Sequence, residues 1–125
     1  MRTVLVVDDE PAIRSYVRAA LEGAGYRVLD APDGASALEL LARGERPDLI
    51  LLDIALPGMN GLDLCRRLRN EPATAAIPVL LLTGLPRERR IADQAGATGV
   101  IGKPFSPTTL GEAVDRALRQ PVSAS

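Results

Sequence analysis

The sequence predicts an α/β fold in which a five-stranded parallel sheet is covered by helices on both faces. Two observations support this prediction: short apolar runs alternate with amphipathic stretches along the chain, and Gly, Pro or acidic residues separate them. Strands that alternate with helices are joined by right-handed crossovers, which makes the sheet parallel. A chain of 125 residues is long enough for one domain with a single core.

Five apolar segments are the predicted strands. The first, Thr3–Val7, is rich in β-branched residues, which is typical of a buried strand. The third, Leu49–Leu52, is the most apolar and is closed by Asp53. The other predicted strands are Tyr26–Leu29, Val79–Leu82 with Thr83 after it, and the weaker Gly99–Gly102.

Helical spacing of apolar residues predicts a helix after each strand. Pro11 suits the first position of the first helix, with Asp9 or Glu10 as capping candidates, and Gly23 and Gly25 end this helix. The later helices are predicted after Asp33-Gly34, after the loop 56–61, over Pro86–Ala95, and from Pro107 with Ser106 as its cap.

Composition narrows the possible functions. A net charge of −1 and a pI of 5.4 argue against direct nucleic-acid binding. The sequence has no apolar run of about 18 residues and no signal peptide, so we expect a cytoplasmic protein without a membrane span. The absence of histidine and the single Cys65 exclude a histidine-based triad, an internal disulfide and a structural zinc site.

The remaining chemistry is that of carboxylate, hydroxyl and amine groups placed where the predicted strands end. Asp8 and Asp9 follow the first strand, and Asp53, Thr83 and Lys103 close the third, fourth and fifth. Parallel strands bring their carboxyl ends to one edge, where ligands bind. Crowded carboxylates need a cation, for which Mg²⁺ is the best match. A carboxylate can attack phosphorus, and an ammonium and a hydroxyl can stabilise phosphoryl oxygens.

Four motifs, VVDDEP, LLDIALPGMNG, LLTG and GATGVIGKPF, resemble in order and spacing those of the response-regulator receiver family of two-component signalling. The resemblance runs from about Thr3 to Leu118. It implies a flavodoxin-like (βα)5 fold with strand order 2-1-3-4-5, a receiver domain over residues 1–119, and a tail or linker start at 120–125. It also implies a phosphorylation-dependent switch rather than an enzyme.

In this family a histidine kinase donates a phosphoryl group to an aspartate, which here is Asp53, and the product is an aspartyl phosphate. The resemblance assigns Mg²⁺ ligation to Asp9, Asp53, the backbone carbonyl of Ala55 and, through water, Asp8. Thr83 and Lys103 contact the phosphoryl group, and the Lys103–Pro104 bond is expected to be cis. The switch then acts on a partner or a fused output domain through helix four, strand five and helix five, a surface where two phosphorylated copies can pair.

Three positions depart from the family pattern or tune it. Val100 stands where the family has an aromatic residue, so an aromatic side chain swinging inward cannot be the switch here. Ala55 and Leu85 occupy the two positions that adjust phosphoryl lifetime, and neither side chain can position water. We therefore expect a lifetime unlike that of fast chemotaxis-type members. A short interval between Thr83 and Lys103 further predicts a short or displaced fourth helix.

Three other functions remain open on the sequence alone. A degenerate receiver could act as a constitutive protein-interaction module. An aspartyl-phosphate phosphatase of the haloacid-dehalogenase type needs a second aspartate two residues after the nucleophile, where this chain has Ala55. A nucleotide-binding flavodoxin-like module needs a Gly-rich or Ser/Thr-rich loop after the first strand, where this chain has DDEPA.

Overall fold

A computed structural model describes residues 1–84 and 89–119. Its strands form one parallel sheet of order β2-β1-β3-β4-β5, which confirms the predicted fold class and strand order. The strands are β1 (Thr3–Val7), β2 (Arg27–Ala31), β3 (Leu49–Asp53), β4 (Val79–Thr83) and β5 (Gly99–Gly102). The helices are α1 (Pro11–Gly23), α2 (Gly34–Ala42), α3 (Gly61–Asn70), α4 (Arg89–Gln94) and α5 (Pro107–Arg119).

The second strand differs from its predicted bounds, Tyr26–Leu29. Tyr26 belongs instead to the turn that closes α1, because its backbone N–H donates to the Leu21 carbonyl at 3.0 Å. The strand continues through Ala31 because β1 pairs with it as far as Val7. Pairing with a neighbouring strand thus overrides the local apolar pattern.

The fourth helix, predicted over Pro86–Ala95, can be compared only at its end, which lies one residue earlier, at Gln94. Its described part runs from Arg89 to Gln94, and the predicted start at Pro86 lies outside the described residues. The helix is closed at its end by hydrogen bonds from the Ala95 N–H to the Ile91 and Ala92 carbonyls, both at 3.1 Å. Since the helix start is not described, the expectation of a short or displaced helix stays a prediction.

Successive strand residues face opposite sides of the sheet and build two separate apolar layers. One layer, the α1/α5 core, packs these helices against Val4, Val6, Leu49, Leu51, Leu80 and Leu82. The other, the α2/α3/α4 core, packs the remaining helices against Leu5, Val7, Ile50, Leu52, Val79 and Leu81. All five residues of β3 and of β4 are buried, as expected for central strands covered on both faces. In the described part of the chain, no helix is long and apolar enough to cross a membrane.

Strand register aligns the carboxyl ends of the sheet. Val7 of β1 pairs with Leu52, so that Asp8 lies level with Asp53. On the other side of β3, Asp53 pairs with Leu82, and Thr83 pairs with Gly102. The polar residues that end or follow β1, β3, β4 and β5 are therefore at one edge, in adjacent rows.

Candidate functional site

Lys103 lies between two aspartates at this edge. Its Nζ is 3.2 Å from Asp8 Oδ2 and 3.4 Å from Asp53 Oδ1. The Asp8 side chain is fully buried and that of Asp53 is 7% exposed, whereas the Lys103 side chain is 21% exposed. One ammonium thus faces two buried carboxylates, which leaves excess negative charge when both are ionised.

Burial and the neighbouring charges shift the pKa values of Asp53 and Lys103. Burial raises the pKa of Asp53, the charge of Asp8 raises it further, and Lys103 and the Ala55 N–H act in the opposite direction. Burial by itself lowers the pKa of Lys103, but the attraction of Asp53 and Asp8 outweighs it, so the pKa of Lys103 lies above its ordinary value. Lys103 therefore stays a cation at neutral pH.

Asp8 is held in place through its backbone and one side-chain oxygen. Its N–H donates to the Ala31 carbonyl at 3.1 Å, and its carbonyl accepts from Arg14 Nη1 at 2.7 Å. Its Oδ1 accepts from the Glu10 N–H at 2.9 Å. Glu10 is the N-cap residue of α1 but makes no side-chain capping hydrogen bond. This arrangement directs Asp8 Oδ2 towards Lys103.

Asp53 ends a buried strand and is backed by a close helix start. The Ala55 N–H donates to Asp53 Oδ1 at 3.3 Å, and the Gly61 N–H donates to the Ile54 carbonyl at 2.9 Å. A Cβ on Gly61 would collide with the Asp53 carbonyl oxygen and lie 2.8 Å from Ile54 Cα. The sequence does not predict this role of Gly61, whose signals are its place at the end of the motif LLDIALPGMNG and just before a predicted helix.

Thr83 and Lys103 are adjacent across the β4–β5 pair. Thr83 is 4% exposed, and its carbonyl accepts from the Lys103 N–H at 2.7 Å. The Lys103–Pro104 peptide bond is cis. The structure therefore brings Asp8, Asp53 and Lys103 into direct contact, with Thr83 beside them.

The carboxylates of Asp8, Asp9 and Glu10 form a group whose potential ligand oxygens all lie within 4.8 Å of one another. Asp9 and Glu10 are exposed, whereas Asp8 is buried. From the sequence, Glu10 is only a candidate cap of the first helix. Lys103 contacts Asp53 as well as Asp8, which is a member of this group. Oxygen donors and incompletely balanced buried charge suit a hard divalent cation such as Mg²⁺.

The remaining predicted positions lie around this centre. Ala55 is exposed and contributes its N–H to Asp53. Val100 is partly buried and packs against the α2/α3/α4 core. Leu85 and the tail 120–125 lie outside the described residues.

Comparison with known proteins places this geometry in context. A family model described as the response regulator receiver domain matches residues 4–115. The phosphate regulon transcriptional regulatory protein PhoB of Pseudomonas aeruginosa is 40% identical over 121 residues, which cover 95% of this chain and 52% of PhoB. The chain spans about half the length of the curated relatives it matches.

Solved structures show the same fold. The chemotaxis response regulator CheY4 of Vibrio cholerae is 37% identical with a TM-score of 0.87, over 94% of this chain and 98% of that chain. The receiver domain of sensor histidine kinase PA1611 from Pseudomonas aeruginosa, solved with magnesium in its active site cleft, is 30% identical with a TM-score of 0.85. That match covers 95% of this chain and 98% of the PA1611 domain.

Proposed function

This chain belongs to the response regulator receiver domain family of two-component signalling, and we propose that it is a phosphorylation-dependent switch with Asp53 as the phosphoryl acceptor. The observation that carries the proposal is the contact of one ammonium, that of Lys103, with both Asp8 and Asp53. A cation beside a buried carboxylate is what phosphoryl transfer to that carboxylate requires.

The proposed chemistry is a single displacement at phosphorus. An oxygen of Asp53 forms a bond to phosphorus while the bond between phosphorus and the donor's leaving atom breaks. Lys103 balances charge on the phosphoryl oxygens, and the Thr83 hydroxyl donates a hydrogen bond to one of them. The buried position of Asp53 limits access of competing water.

The residues present fit a Mg²⁺ ion. Asp9, Asp53 and the Ala55 carbonyl would hold it directly and Asp8 through water, consistent with an oxygen-only donor set. When bound, the ion supplies positive charge to the phosphoryl oxygens. Asp8 has the further role of holding Lys103 through Oδ2 while its Oδ1 is engaged by the Glu10 N–H.

The proposed partners follow from the chain's own composition and its relatives. The chain has no histidine, so the phosphohistidine donor lies outside these 125 residues, and we propose that a histidine kinase supplies it. Relatives such as PhoB are transcriptional regulators about twice as long, which supports control of a partner or fused output domain. With a net charge of −1, we propose that this domain does not itself bind nucleic acid and that it acts in the cytoplasm, where phosphorylation can promote pairing of two copies.

The experiment is phosphorylation by acetyl phosphate with Mg²⁺, followed by intact mass. Wild type should gain one phosphoryl group and Asp53→Asn none. Asp63→Asn, which changes an exposed aspartate of α3, is the matched control and should behave as wild type.

Each other outcome identifies a rival. Equal labelling of Asp53→Asn would remove Asp53 as the acceptor. A folded wild type that takes up no phosphoryl group would instead be a degenerate interaction module, an option that the acidic residues and Lys103 argue against and that Val100, in place of the family's aromatic residue, leaves open. Repeated turnover of phosphate esters would indicate a phosphatase, whereas we propose that the chain is not an enzyme.

A further inference from the structure

Tyr16 of α1 makes a long-range contact that the proposed chemistry does not use. Its hydroxyl donates to the Phe105 carbonyl at 2.9 Å. The two rings meet edge to face, with centroids 5.8 Å apart and an interplanar angle of 63°. Tyr16 is nevertheless 38% exposed, so burial of its ring does not by itself account for its position.

The Phe105 carbonyl lies on the turn that carries Lys103 from β5 to α5. At one end of this turn, the Lys103 N–H donates to the Thr83 carbonyl at 2.7 Å. At the other, the Phe105 carbonyl accepts from Tyr16. These two hydrogen bonds lie at the two ends of the segment Lys103–Phe105, and each ties it to a different element.

Side-chain packing leaves this side of the turn open. A cavity of about 350 Å³ lies between α1 and the turn, lined by Ile13, Tyr16, Lys103, Pro104 and Phe105. This cavity opens to solvent beside the exposed ring of Tyr16, so it adds no packing contacts of its own. The Tyr16 hydrogen bond and the edge-to-face contact of the two rings join α1 to the turn here.

We infer that Tyr16 is a positioning residue for Lys103: its hydrogen bond to the Phe105 carbonyl fixes the turn against α1 and so sets the ammonium between Asp8 and Asp53. The inference rests on the proposed function for its consequence in phosphoryl transfer. The claim about the position of Lys103 does not depend on phosphoryl transfer, because that position can be observed directly.

The experiment uses the fact that Lys103 is the only lysine of the chain. Isotopically labelled lysine gives one side-chain NMR signal, which reports the surroundings of this ammonium. Tyr16→Phe removes the hydroxyl and keeps the ring. Tyr26→Phe is the matched control, because Tyr26 packs against the α1/α5 core in the turn before β2.

We expect Tyr16→Phe to shift the Lys103 signal and Tyr26→Phe to leave it unchanged. The maximal rate of Asp53 phosphorylation by acetyl phosphate should fall about two- to tenfold, the range that one net hydrogen bond supplies. Because Tyr16 touches none of the proposed ligands, the maximal rate should change more than the Mg²⁺ concentration for half-maximal rate. A loss through general instability would instead lower the urea midpoint together with the rate.

A second variant separates the hydroxyl from the ring. Phe105→Leu keeps the carbonyl that accepts the hydrogen bond and removes the ring contact, so it should shift the Lys103 signal less than Tyr16→Phe does. A larger shift in Phe105→Leu, or an unshifted signal in Tyr16→Phe, would overturn the inference. A wild type that takes up no phosphoryl group would overturn the proposed function, while the NMR comparison would still decide the role of Tyr16.

Discussion

At the scale of single residues, the buried carboxylates that the proposed chemistry needs also lower the stability of the folded protein. Asp53 and Asp8 are both buried, and they share the single ammonium of Lys103. A pKa of Asp53 raised by burial means that its charged form is less favourable in the folded than in the unfolded chain. The acceptor is thus retained for function at a cost in stability.

We predict that Asp53→Asn stabilises the metal-free protein. Below the unfolded pKa of about 4 both states hold the proton and the aspartate costs nothing; as pH rises through the raised folded pKa of Asp53, stability is lost. The gain from Asp53→Asn should therefore be absent at low pH and fully developed at neutral pH. Urea unfolding with a chelator at several pH values measures it, with Asp63→Asn as the control. An equal gain at every pH would show that ionisation is not the cause.

Gly61 supports the acceptor by its lack of a side chain. We predict that Gly61→Ala lowers stability by about 1–3 kcal/mol, as expected for forced overpacking, and reduces phosphorylation because it displaces the Asp53–Ile54 backbone. Gly111→Ala is the matched control. A Cβ there meets nothing within 4 Å, and Ala in a helix interior should add up to about 1 kcal/mol. Urea midpoints measure the stability of the two variants, and intact mass measures their phosphorylation. Equal stability of Gly61→Ala and Gly111→Ala would contradict the close approach of Gly61 to the Asp53–Ile54 backbone.

At the scale of elements, predictions from sequence succeeded where the local pattern and the sheet agree. The bounds of β1 and β5 match their predictions because each is an apolar run between clear breaks. The bounds of β2 differ from the prediction because a turn hydrogen bond excludes Tyr26 from its start and pairing with β1 extends its end to Ala31. Pairing with a distant strand leaves no signal in a single sequence.

Arg69 is another element-scale feature that the sequence did not reveal. It lies near the end of α3, in a sequence that also has Arg66 and Arg67, and nothing in the pattern separates it from them. In the structure its Nη1 donates to the Ile77 carbonyl at 2.6 Å and its Nε to the Gly96 carbonyl at 2.8 Å. One guanidinium thus ties α3 to the segments that precede β4 and β5.

We predict that Arg69→Met lowers stability by about 1.5–3 kcal/mol, because the carbonyls of Ile77 and Gly96 lose a charged donor. Arg69→Lys should rescue little, since an ammonium cannot reproduce the fork. Arg66→Met is the control, whose exposed contact with Asp63 is worth no more than about 0.5 kcal/mol. Chemical unfolding gives the energies, and amide exchange should rise first at β5. Equal losses of stability in Arg66→Met and Arg69→Met would contradict the role of Arg69 in joining α3 to the segments before β4 and β5.

At the scale of the whole molecule, the site exists only because the complete sheet forms. Asp53 and Thr83 end β3 and β4, whereas Asp8 and Lys103 follow β1 and β5. The convergence of these four residues follows from the rule that parallel strands share a carboxyl edge. Gly61 and Tyr16 could not be predicted in this way, because their contacts join elements that no sequence rule pairs. Sequence therefore predicts the reacting groups better than the groups that hold them.

Because the site forms only in the folded chain, cation binding is linked to the stability of the whole domain. A ligand that binds only the folded chain stabilises it, by about 2.7 kcal/mol at a hundred times its dissociation constant. We predict that Mg²⁺ stabilises wild type in this way, because it offsets the repulsion between Asp8 and Asp53. Asp9→Asn should lose most of the effect, and Asp93→Asn, an exposed change on α4, none of it. Urea unfolding across a Mg²⁺ series measures the slope; a response that persists in Asp9→Asn would place the cation away from this edge of the sheet.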